Sequence, residues 1–267
     1  MDELKKLEDK SIHIIREAAS QFKKPAVLWS VGKDSTTVLY LIRKAFFGKV
    51  PFPVMHLDTG HKFPEMYKFR DELVRKWNLN LIIARNEEAI KAGVICSPGN
   101  TEECAVKLKT ENLKAVMKKY GFDALFVGIR RDEHGIRAKE RYFSPRDRQF
   151  KWDYKNQPTE MWDIFKGIFE DGQHFRIHPI LHWTELNIWQ YIKQENIPVN
   201  SLYFAKDGKR YRSLGCKPST HPIDSKADTI DKIIHELKTT NTPERAGRSL
   251  DKEKANMMQK LRALGYM

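Results

Sequence analysis

The sequence contains few cysteines, no long apolar run and fewer acidic than basic residues. Its three cysteines lie far apart in 267 residues and form no Cys-x-x-Cys pair, which argues against a disulfide framework, a zinc ribbon or a cluster site. No stretch approaches the roughly 20 apolar residues that span a bilayer, and no apolar signal core follows Met1. We therefore expect a cytoplasmic protein without zinc, iron–sulfur, haem or flavin, in which Cys96, Cys104 and Cys216 are partly buried free thiols.

Positive charge dominates the composition. The chain has 48 lysine and arginine residues against 35 acidic ones, a formal net charge of +13. Such an excess attracts nucleotides, phosphate, sulfate or nucleic acid. The basic residues are spread along the whole chain, and no appended RNA-binding module is visible, so we expect no nucleic-acid partner. A hydrophobic content of 40% is typical of a folded globular protein.

Short apolar runs alternate with segments of helical periodicity along most of the chain. Strands are predicted at 26–29, 53–57, 79–84, 124–127 and 175–180, and helices at 4–21, 35–46, 64–77, 103–120 and 184–194. The first of these runs, Ala-Val-Leu-Trp, is typical of a strand that is buried on both faces. The order predicts an α/β fold with a doubly wound, mostly parallel sheet of five strands.

Two regions interrupt this alternation. Residues 129–172 are charged and aromatic without clear periodicity, so they are predicted to form long loops over one face, and such loops are usually functional or mobile. After Pro198 the pattern changes to a loop followed by helices near 226–239 and 252–263. We therefore expect a nucleotide-binding catalytic domain at 1–197 and a helical C-terminal extension at 198–267, packed on the same domain.

A phosphate-binding loop is predicted at 30–36, directly after the first buried strand. Its Gly-Lys-Asp-Ser run is not a Walker A motif, which requires Ser or Thr after the lysine. Gly32 lets the backbone approach an anion, and Ser35 and Thr36 offer hydroxyl and N–H groups at a helix N-terminus. Asp34 either caps this helix or holds magnesium. An ordinary strand–helix turn is the alternative interpretation.

Further motifs are spread over nearly the whole chain. They lie at 11–17, 51–53, 56–60, 109–111, 128–133, 137–141, 183–192, 214–216 and 244–248. Together with the loop, they resemble the PP-loop ATP pyrophosphatase superfamily, whose members cleave ATP between the α and β phosphates and share the adenine nucleotide alpha hydrolase-like fold. More narrowly, the chain resembles the small catalytic subunits of heterodimeric ATP sulfurylases, within the phosphoadenylylsulfate reductase family. The arginine blocks and the C-terminal Glu-Arg-Ala-Gly-Arg are more specific than the loop.

The resemblance implies an ATP site at the carboxyl edge of the sheet, where doubly wound folds bind their ligands. The residues implied in ATP binding are Ser30, Gly32, Lys33, Asp34, Ser35, Thr36, His56, Leu57, Asp58 and Gly128. Asp58 is a candidate for ribose or magnesium, or else a turn residue or helix cap. Magnesium, bound together with ATP through Asp34 or Asp58, is the expected cofactor.

Five cations lie within twelve residues after the fourth predicted strand. They are Arg130, Arg131, Arg137, Lys139 and Arg141. Arginine presents a fork of donors that suits tetrahedral oxyanions, so we expect this cluster to bind sulfate and the α-phosphate. For any single arginine, a surface salt bridge is an equal alternative. The residues expected to be catalytic are Lys33, Asp34, Arg130 and Arg131.

The reaction implied by the resemblance is attack of a sulfate oxygen on the α-phosphorus of ATP. It yields adenosine 5'-phosphosulfate and pyrophosphate, the activation step of sulfur assimilation. No covalent nucleophile is required, because positioning and stabilisation of charge would carry the catalysis. The phosphosulfate anhydride is a high-energy bond, and in the family a separate GTPase large subunit helps to drive its formation. Such a GTPase is therefore the expected protein partner.

Three alternative functions remain open at this stage. A phosphoadenylylsulfate or adenylylsulfate reductase carries a nucleophilic cysteine near its C-terminus, but residues 217–267 contain none. A tRNA-thiolating PP-loop enzyme normally uses a persulfide cysteine or a Cys-x-x-Cys cluster, and neither pattern is visible. A nucleotide-binding scaffold without activity is the third, and the intact phosphate loop argues against it.

Three evenly spaced histidines are a further candidate site. His174, His178 and His182 would share a face of a helix, but Pro179 interrupts them and the segment has the pattern of a strand. We therefore expect structural histidines rather than metal ligands.

Overall fold

The computed structural model of the chain describes residues 2–97, 100–167, 172–247 and Leu261. Within these residues, six short strands form the central sheet: β1 (Pro25–Leu28), β2 (Val54–Leu57), β3 (Leu81–Ala84), β4 (Ala124–Val127), β5 (Phe143–Arg146) and β6 (His174–Ile177). They lie in the order β3-β2-β1-β4-β6-β5, and every neighbouring pair is parallel except β5 with β6. The predicted mostly parallel α/β sheet is confirmed.

Helices fill the connections between the strands. They are α1 (Glu3–Gln21), α2 (Lys33–Ala45), α3 (Pro64–Trp77), α4 (Glu87–Lys91), α5 (Thr101–Cys104), α6 (Asn112–Tyr120), α7 (Glu185–Glu195) and α8 (Ile230–Thr239). A π-helix at Ala105–Glu111 joins α5 to α6, so the helix predicted at 103–120 is present but irregular. None of the described helices is long and apolar enough to cross a membrane.

The core lies on both faces of the sheet. All residues of β1, β2 and β4 are buried, as expected for parallel strands covered by helices on each side. The same apolar core includes Tyr203, Ala227 and Ile233 from the chain after Pro198. The described part of the C-terminal region therefore packs on the sheet domain, while the boundary after residue 197 stays a prediction.

The structure adds a strand to the five that were predicted. β5 lies inside the region predicted as long loops, and it pairs antiparallel with β6 at the edge of the sheet. Its sequence, Phe-Ser-Pro-Arg, has no clear alternation and contains a proline, which a strand accepts only at an edge or bulge. Its pairing partner, rather than its own pattern, makes it a strand.

The C-terminal region also differs in part from the prediction. A small antiparallel pair, β7 (Lys209–Arg210) and β8 (Ile223–Asp224), lies where a loop was expected. The helix predicted near 226–239 is present as α8. The helix predicted near 252–263 lies outside the described residues, apart from Leu261, which is helical and buried.

Candidate active site

The loop predicted to bind phosphate connects β1 to α2. Val31 is buried and has φ 67°, a left-handed conformation that is uncommon for a β-branched residue. Such backbone strain is concentrated at ligand-binding and active sites. α2 begins at Lys33, with Gly32 before it, so the first-turn N–H groups of this helix lack intrahelical acceptors. The Lys33 N–H donates to the Tyr203 hydroxyl at 2.8 Å.

The three hydroxyl groups of this loop have different surroundings. The Ser30 and Ser35 hydroxyl oxygens lie 3.0 Å apart, and both residues line a cavity. The Thr36 hydroxyl instead accepts a hydrogen bond from the Trp29 indole at 3.0 Å and is buried. Thr36 therefore holds the loop on the core, and its side chain does not line the cavity.

Gly128 lies directly against the loop, as predicted for the end of the fourth strand. The pairing of β1 with β4 sets Leu28 beside Val127, which brings the next residues of both strands to the same edge. A Cβ atom at Gly128 would lie 2.7 Å from the Ser35 nitrogen and 2.9 Å from the Asp34 carbonyl carbon. Because both contacts are with backbone, only glycine fits this position without displacing the loop.

A cavity of about 130 Å³ opens over the loop. Its polar lining comes from Ser30, Lys33, Asp34, Ser35, Glu133, Arg137, Tyr203, Ser213, Glu244 and Arg245. These residues come from four distant parts of the chain, so the cavity is formed by the tertiary structure. The carboxyl edge of the sheet is the expected place for a ligand in this kind of fold.

Lys33 lines the cavity, and Arg130, which does not line it, pairs with two residues that do, Asp34 and Glu244. Both cations are almost fully buried, at 1% and 0% exposure. Lys33 binds Glu244 and lies 3.1 Å from an Asp34 oxygen. Arg130 binds Asp34 and Glu244 through separate nitrogens and donates to Asp132 at 2.9 Å. Asp34 and Glu244 thus bridge the two cations.

The contacts with Lys33 and Arg130 decide the protonation state of Glu244. Burial opposes the charged form of Glu244, but the charges of Arg130 and Lys33 lower the pKa of its carboxyl well below the ordinary value. Burial likewise opposes a charged Arg130, but Glu244 and Asp132 raise the pKa of its guanidinium. Glu244 therefore carries a negative charge at neutral pH, where it neutralises the two cations nearest the phosphate loop.

The second predicted ATP segment, 56–58, does not line this cavity. Asp58 accepts hydrogen bonds from the Gly60 N–H at 2.8 Å and from the Tyr67 hydroxyl at 2.7 Å. Burial would raise the pKa of Asp58, but these two hydrogen bonds lower it. Its carboxylate thus closes a turn, which was the alternative interpretation of this residue.

His56 is buried inside the same segment. Its Nδ1 atom lies 3.0 Å from the Trp29 carbonyl oxygen, which can only accept, so Nδ1 carries the proton. Burial, together with the charge of Lys62, lowers the pKa of His56 to about 4. The imidazole is therefore neutral at physiological pH and acts as a structural link between β2 and the end of β1.

The carboxylates proposed for magnesium do not offer a free site in this arrangement. Both oxygens of Asp34 are engaged by cations, one by Arg130 and the other by Lys33. Asp58 is held by its turn contacts and lies 3.6 Å from the Arg85 Nε atom. Magnesium prefers carboxylates without competing cations, together with phosphate oxygens and water. These residues do not fit a dedicated magnesium site as placed, and the ligand roles of Asp34 and Asp58 remain predictions.

The arginine cluster divides into two groups. Arg130 and Arg137 are both buried. Arg137 lines the cavity and binds Glu133, whereas Arg130 binds Asp34 and Glu244 of the cavity lining. Arg131 and Arg141 instead line a second opening beside Tyr142. The Lys139 ammonium lies 4.6 Å from the centre of the Tyr154 ring, away from both. Neighbours in the sequence thus face different surroundings, and only part of the predicted cluster lies at the phosphate loop.

Several residues that complete the cavity have no role predicted from the sequence. Tyr203 is buried against the loop, Glu244 bridges Lys33 and Arg130, and Arg245 binds Glu133 at 3.0 Å. Glu244 and Arg245 belong to the C-terminal Glu-Arg-Ala-Gly-Arg motif, which was noted only as a mark of resemblance. The signal was present in the sequence, but nothing there showed which segment this motif would contact.

Of the three evenly spaced histidines, His174 and His178 are buried and His182 is partly buried, and within the described residues they form no group that could hold a metal ion. Burial lowers the pKa of His174 to about 2 and that of His182 to about 4, so both are neutral. Within the described ranges, the side chains grouped closely enough to hold a metal ion are three cysteines and no histidine. The structural role expected for these histidines fits their burial.

The fold and this cavity together define a mostly parallel α/β protein with a polar cavity at the carboxyl edge of its sheet, over the loop between the first strand and the second helix. Residues 24–222 match the family described as the phosphoadenosine phosphosulfate reductase domain. A relative from Marinomonas sp. (strain MWYL1), named sulfate adenylyltransferase subunit 2, is 44% identical over 98% of this chain and 97% of its own length. A relative of the same name from Bacteroides fragilis (strain YCH46) is 44% identical over 100% of this chain and 98% of its own length. The chain therefore belongs to the phosphoadenosine phosphosulfate reductase domain family and, within it, to the sulfate adenylyltransferase subunit 2 family.

Solved structures show the same fold at low sequence identity. A phosphoadenylyl-sulfate reductase from Candida auris superimposes with a TM-score of 0.57 at 17% identity, covering 83% of this chain and 98% of that one. The Candida glabrata FMN adenylyltransferase in complex with ATP superimposes with a TM-score of 0.57 at 19% identity, covering 82% of this chain and 63% of that one. At these identities the likeness supports the fold alone, and it agrees with the mostly parallel α/β architecture expected from the sequence.

Proposed function

We propose that this chain transfers AMP from ATP to sulfate and releases pyrophosphate. The observation that carries the proposal is the pair of buried cations, Lys33 and Arg130, held by Glu244 beside the strand–helix loop in which Val31 has φ 67°. Relatives at 44% identity over nearly the full chain are named sulfate adenylyltransferase subunit 2, which gives the reaction class.

ATP would bind with its β and γ phosphates against the loop. Ser30 and Ser35 supply hydroxyl donors, Gly32 allows a close approach, and the first turn of α2 supplies N–H groups. Lys33 and Arg130 would bind the phosphates in place of Glu244 and would keep their contacts with Asp34. We infer that Glu244 occupies the position of an anionic ligand in the present arrangement and gives way when ATP arrives.

Sulfate would bind beside the α-phosphate, because its oxygen must reach the α-phosphorus in line with the departing pyrophosphate. Arg137 and Arg245 support this placement, since both line the cavity and both bind Glu133. Arginine forks suit a tetrahedral oxyanion. By contrast, Arg131 and Arg141 line the second opening, which weakens their proposed role in sulfate binding.

Catalysis would depend on positioning and charge rather than on a covalent intermediate. As the α–β bond breaks, negative charge develops on the pyrophosphate, next to Lys33 and Arg130. Fixed cations in a water-poor site stabilise such charge without reorganising. ATP would enter as its magnesium complex, with the metal carried by the phosphates. Asp34, which binds both cations, would hold them in position for the leaving group.

A second subunit is implied by the relatives' name, and we propose that the partner is a GTPase. The reason is energetic, because the phosphosulfate anhydride is costly to form and its synthesis needs a coupled source of free energy. The alignment with the Marinomonas relative spans 292 positions against 267 residues here, so that relative carries residues that this chain lacks.

Pyrophosphate release from ATP, with and without sulfate, tests the proposal. Sulfate should be required, and Asp34→Asn should reduce the rate by about two orders of magnitude or more, whereas the matched Asp58→Asn should retain most of it. Adding a candidate GTPase with GTP should increase the yield. Release that is independent of sulfate, or stimulated only by tRNA, would contradict the assignment.

A matched pair of arginine variants tests where sulfate binds. Arg137→Lys should raise the KM for sulfate, because lysine cannot reproduce the two-donor fork. Arg141→Lys, at the second opening, should leave that KM nearly unchanged. The opposite pattern would move the sulfate site to the second opening while leaving the adenylylation reaction intact.

The remaining alternative is reduction of a sulfated nucleotide, because the family that matches residues 24–222 is described as a phosphoadenosine phosphosulfate reductase domain. No cysteine follows Cys216 in the sequence, and Cys216 itself is fully buried. A reductase needs an accessible thiol that attacks the sulfonyl group, so we favour adenylylation. Release of sulfite from adenosine 5'-phosphosulfate by the chain with a thiol donor would reverse this preference.

A further inference from the structure

The three cysteines, dispersed in the sequence, are gathered in one buried cluster. The sulfur atoms of Cys96, Cys104 and Cys216 all lie within 4.8 Å of one another. Each residue is at most 3% exposed. Cys96 precedes α5, Cys104 ends it, and Cys216 lies more than a hundred residues further along. Local sequence therefore does not explain the grouping, which the tertiary structure imposes.

We propose that this cluster is a binding site for one Zn²⁺ ion, with the three thiolates as its ligands. Zinc binds cysteine sulfur at about 2.3 Å in a tetrahedral arrangement, which requires sulfurs about 3.8 Å apart. The Cys96 and Cys104 sulfurs lie 2.7 Å apart, so zinc binding would have to move these two side chains apart by about 1 Å, while the three sulfurs already lie within 4.8 Å of one another. Thiolate is the ligand type that selects such soft metal ions over magnesium or calcium.

The surroundings of the cluster suit a metal bound by three sulfurs. Apolar side chains, Ala89 and Leu108 together with the partly buried Ile90 and Val94, pack around it. The Thr59 hydroxyl lies 3.3 Å from the Cys216 sulfur, so a neighbouring oxygen is available for the fourth position of the tetrahedron.

Nearby charge would balance the site. Three thiolates and one zinc ion carry a net charge of −1, which is costly in a buried setting without compensation. Lys109 is itself buried and, with Lys62, acts electrostatically on the Cys216 thiol. Lys109 belongs to the π-helix that starts directly after Cys104. π-Helical turns are rare and are found frequently at functional sites.

The position of the cluster indicates what the ion would do. Thr59 lies in the turn after β2, and the Lys217 N–H donates to the His61 carbonyl at 2.7 Å, so the 216–217 segment already contacts that turn. Leu214, two residues before Cys216, lines the cavity over the phosphate loop. Zinc would thus fasten the C-terminal region to the sheet domain beside the candidate active site.

Metal analysis of the full-length reduced chain tests the proposal. The chain should take up about one Zn²⁺ per molecule, and its Tm should fall when a chelator removes the metal. Co²⁺ bound in its place should show sulfur-to-metal charge-transfer absorption in the near ultraviolet, which reports thiolate ligands without any variant. No uptake of Zn²⁺ by the reduced chain would overturn the proposal.

Variants identify the ligands. Cys96→Ser, Cys104→Ser and Cys216→Ser should each lose most of the bound zinc and the cobalt absorption. Ile90→Ala, which loosens the same packing but keeps all thiols, is the matched control and should retain both. If the serine variants do not fold, the cobalt spectrum of the wild-type chain decides alone. A disulfide found by thiol titration in place of metal, or an iron–sulfur absorption spectrum, would each overturn the zinc assignment.

Discussion

Two turns follow neighbouring parallel strands at the same edge of the sheet, yet their side chains face different surroundings. The phosphate loop after β1 opens to the cavity, and its Lys33 and Asp34 bind groups from distant segments. The turn after β2 is closed by its own contacts, since Asp58 binds Gly60 and Tyr67. Sheet topology brings both turns to the ligand edge, but local hydrogen bonds decide which of them can present polar groups to a ligand.

The largest effect is expected from Arg130→Ala at the first turn. Arg130 is fully buried, and its loss leaves Glu244 and Asp34 without one of their cations. Removing one member of a buried ion pair costs about 3–5 kcal/mol, so the free energy of unfolding should fall accordingly and pyrophosphate release should disappear. Urea unfolding and a pyrophosphate assay measure both effects.

The neighbouring residue supplies the control for that variant. Arg131 lies outside the paired network, so Arg131→Ala should change the free energy of unfolding by less than about 1 kcal/mol. Similar losses of stability in the two variants would contradict the division of the arginine cluster into a buried group and a group at the second opening.

Glu244→Gln is expected to have the next largest effect. The variant keeps the shape of the side chain but removes a buried negative charge from Lys33 and Arg130, which should lower the free energy of unfolding by about 2–3 kcal/mol. An anion that binds only the folded chain restores stability. Pyrophosphate should therefore raise the Tm of the variant more than that of the wild type. Equal Tm shifts would show that Glu244 does not occupy a phosphate position.

Gly128→Ala should displace the phosphate loop, because the new Cβ would lie 2.7 Å from the Ser35 nitrogen. Overpacking of this kind costs about 1–3 kcal/mol, and the KM for ATP should rise with it. Gly135→Ala is the matched control, since a Cβ there meets no atom within 4 Å. A normal KM in Gly128→Ala would separate the loop from ATP binding.

The smallest effect is expected beside the second turn, where His56 should make the free energy of unfolding depend on pH. The folded pKa of His56 is about 4, against an ordinary value of 6.5. The unfolded chain therefore takes up this proton first, and stability is lost as the pH falls below the ordinary value, by about 1 kcal/mol for this histidine at about pH 5.5. His56→Asn keeps a donor for the Trp29 carbonyl and should remove this part of the loss. Urea unfolding at neutral and mildly acidic pH measures the difference, and an unchanged loss would mean that His56 is not the titrating group.

Much of the sheet and the loop could be predicted because they depend on short-range patterns. The predicted helix at 64–77 coincides with α3 (Pro64–Trp77), where a proline at the first position starts a regular amphipathic pattern. The edge strand β5 could not be predicted, because its residues lack alternation and pair only with β6. The partner that Lys33 and Arg130 share, Glu244, could not be predicted either, because it is more than a hundred residues away from both.

The sequence by itself determined the alternating strands and helices, the position of the loop at 30–36 and the family. These follow from local apolar periodicity, from glycine and hydroxyl residues at a helix N-terminus, and from motifs that keep their spacing. Only the tertiary structure decided that Glu244 pairs with Lys33 and Arg130, that Arg131 lines a separate opening, and that three separated cysteines meet. Those contacts depend on how distant segments pack, because burial and charge pairing are properties of the whole folded chain.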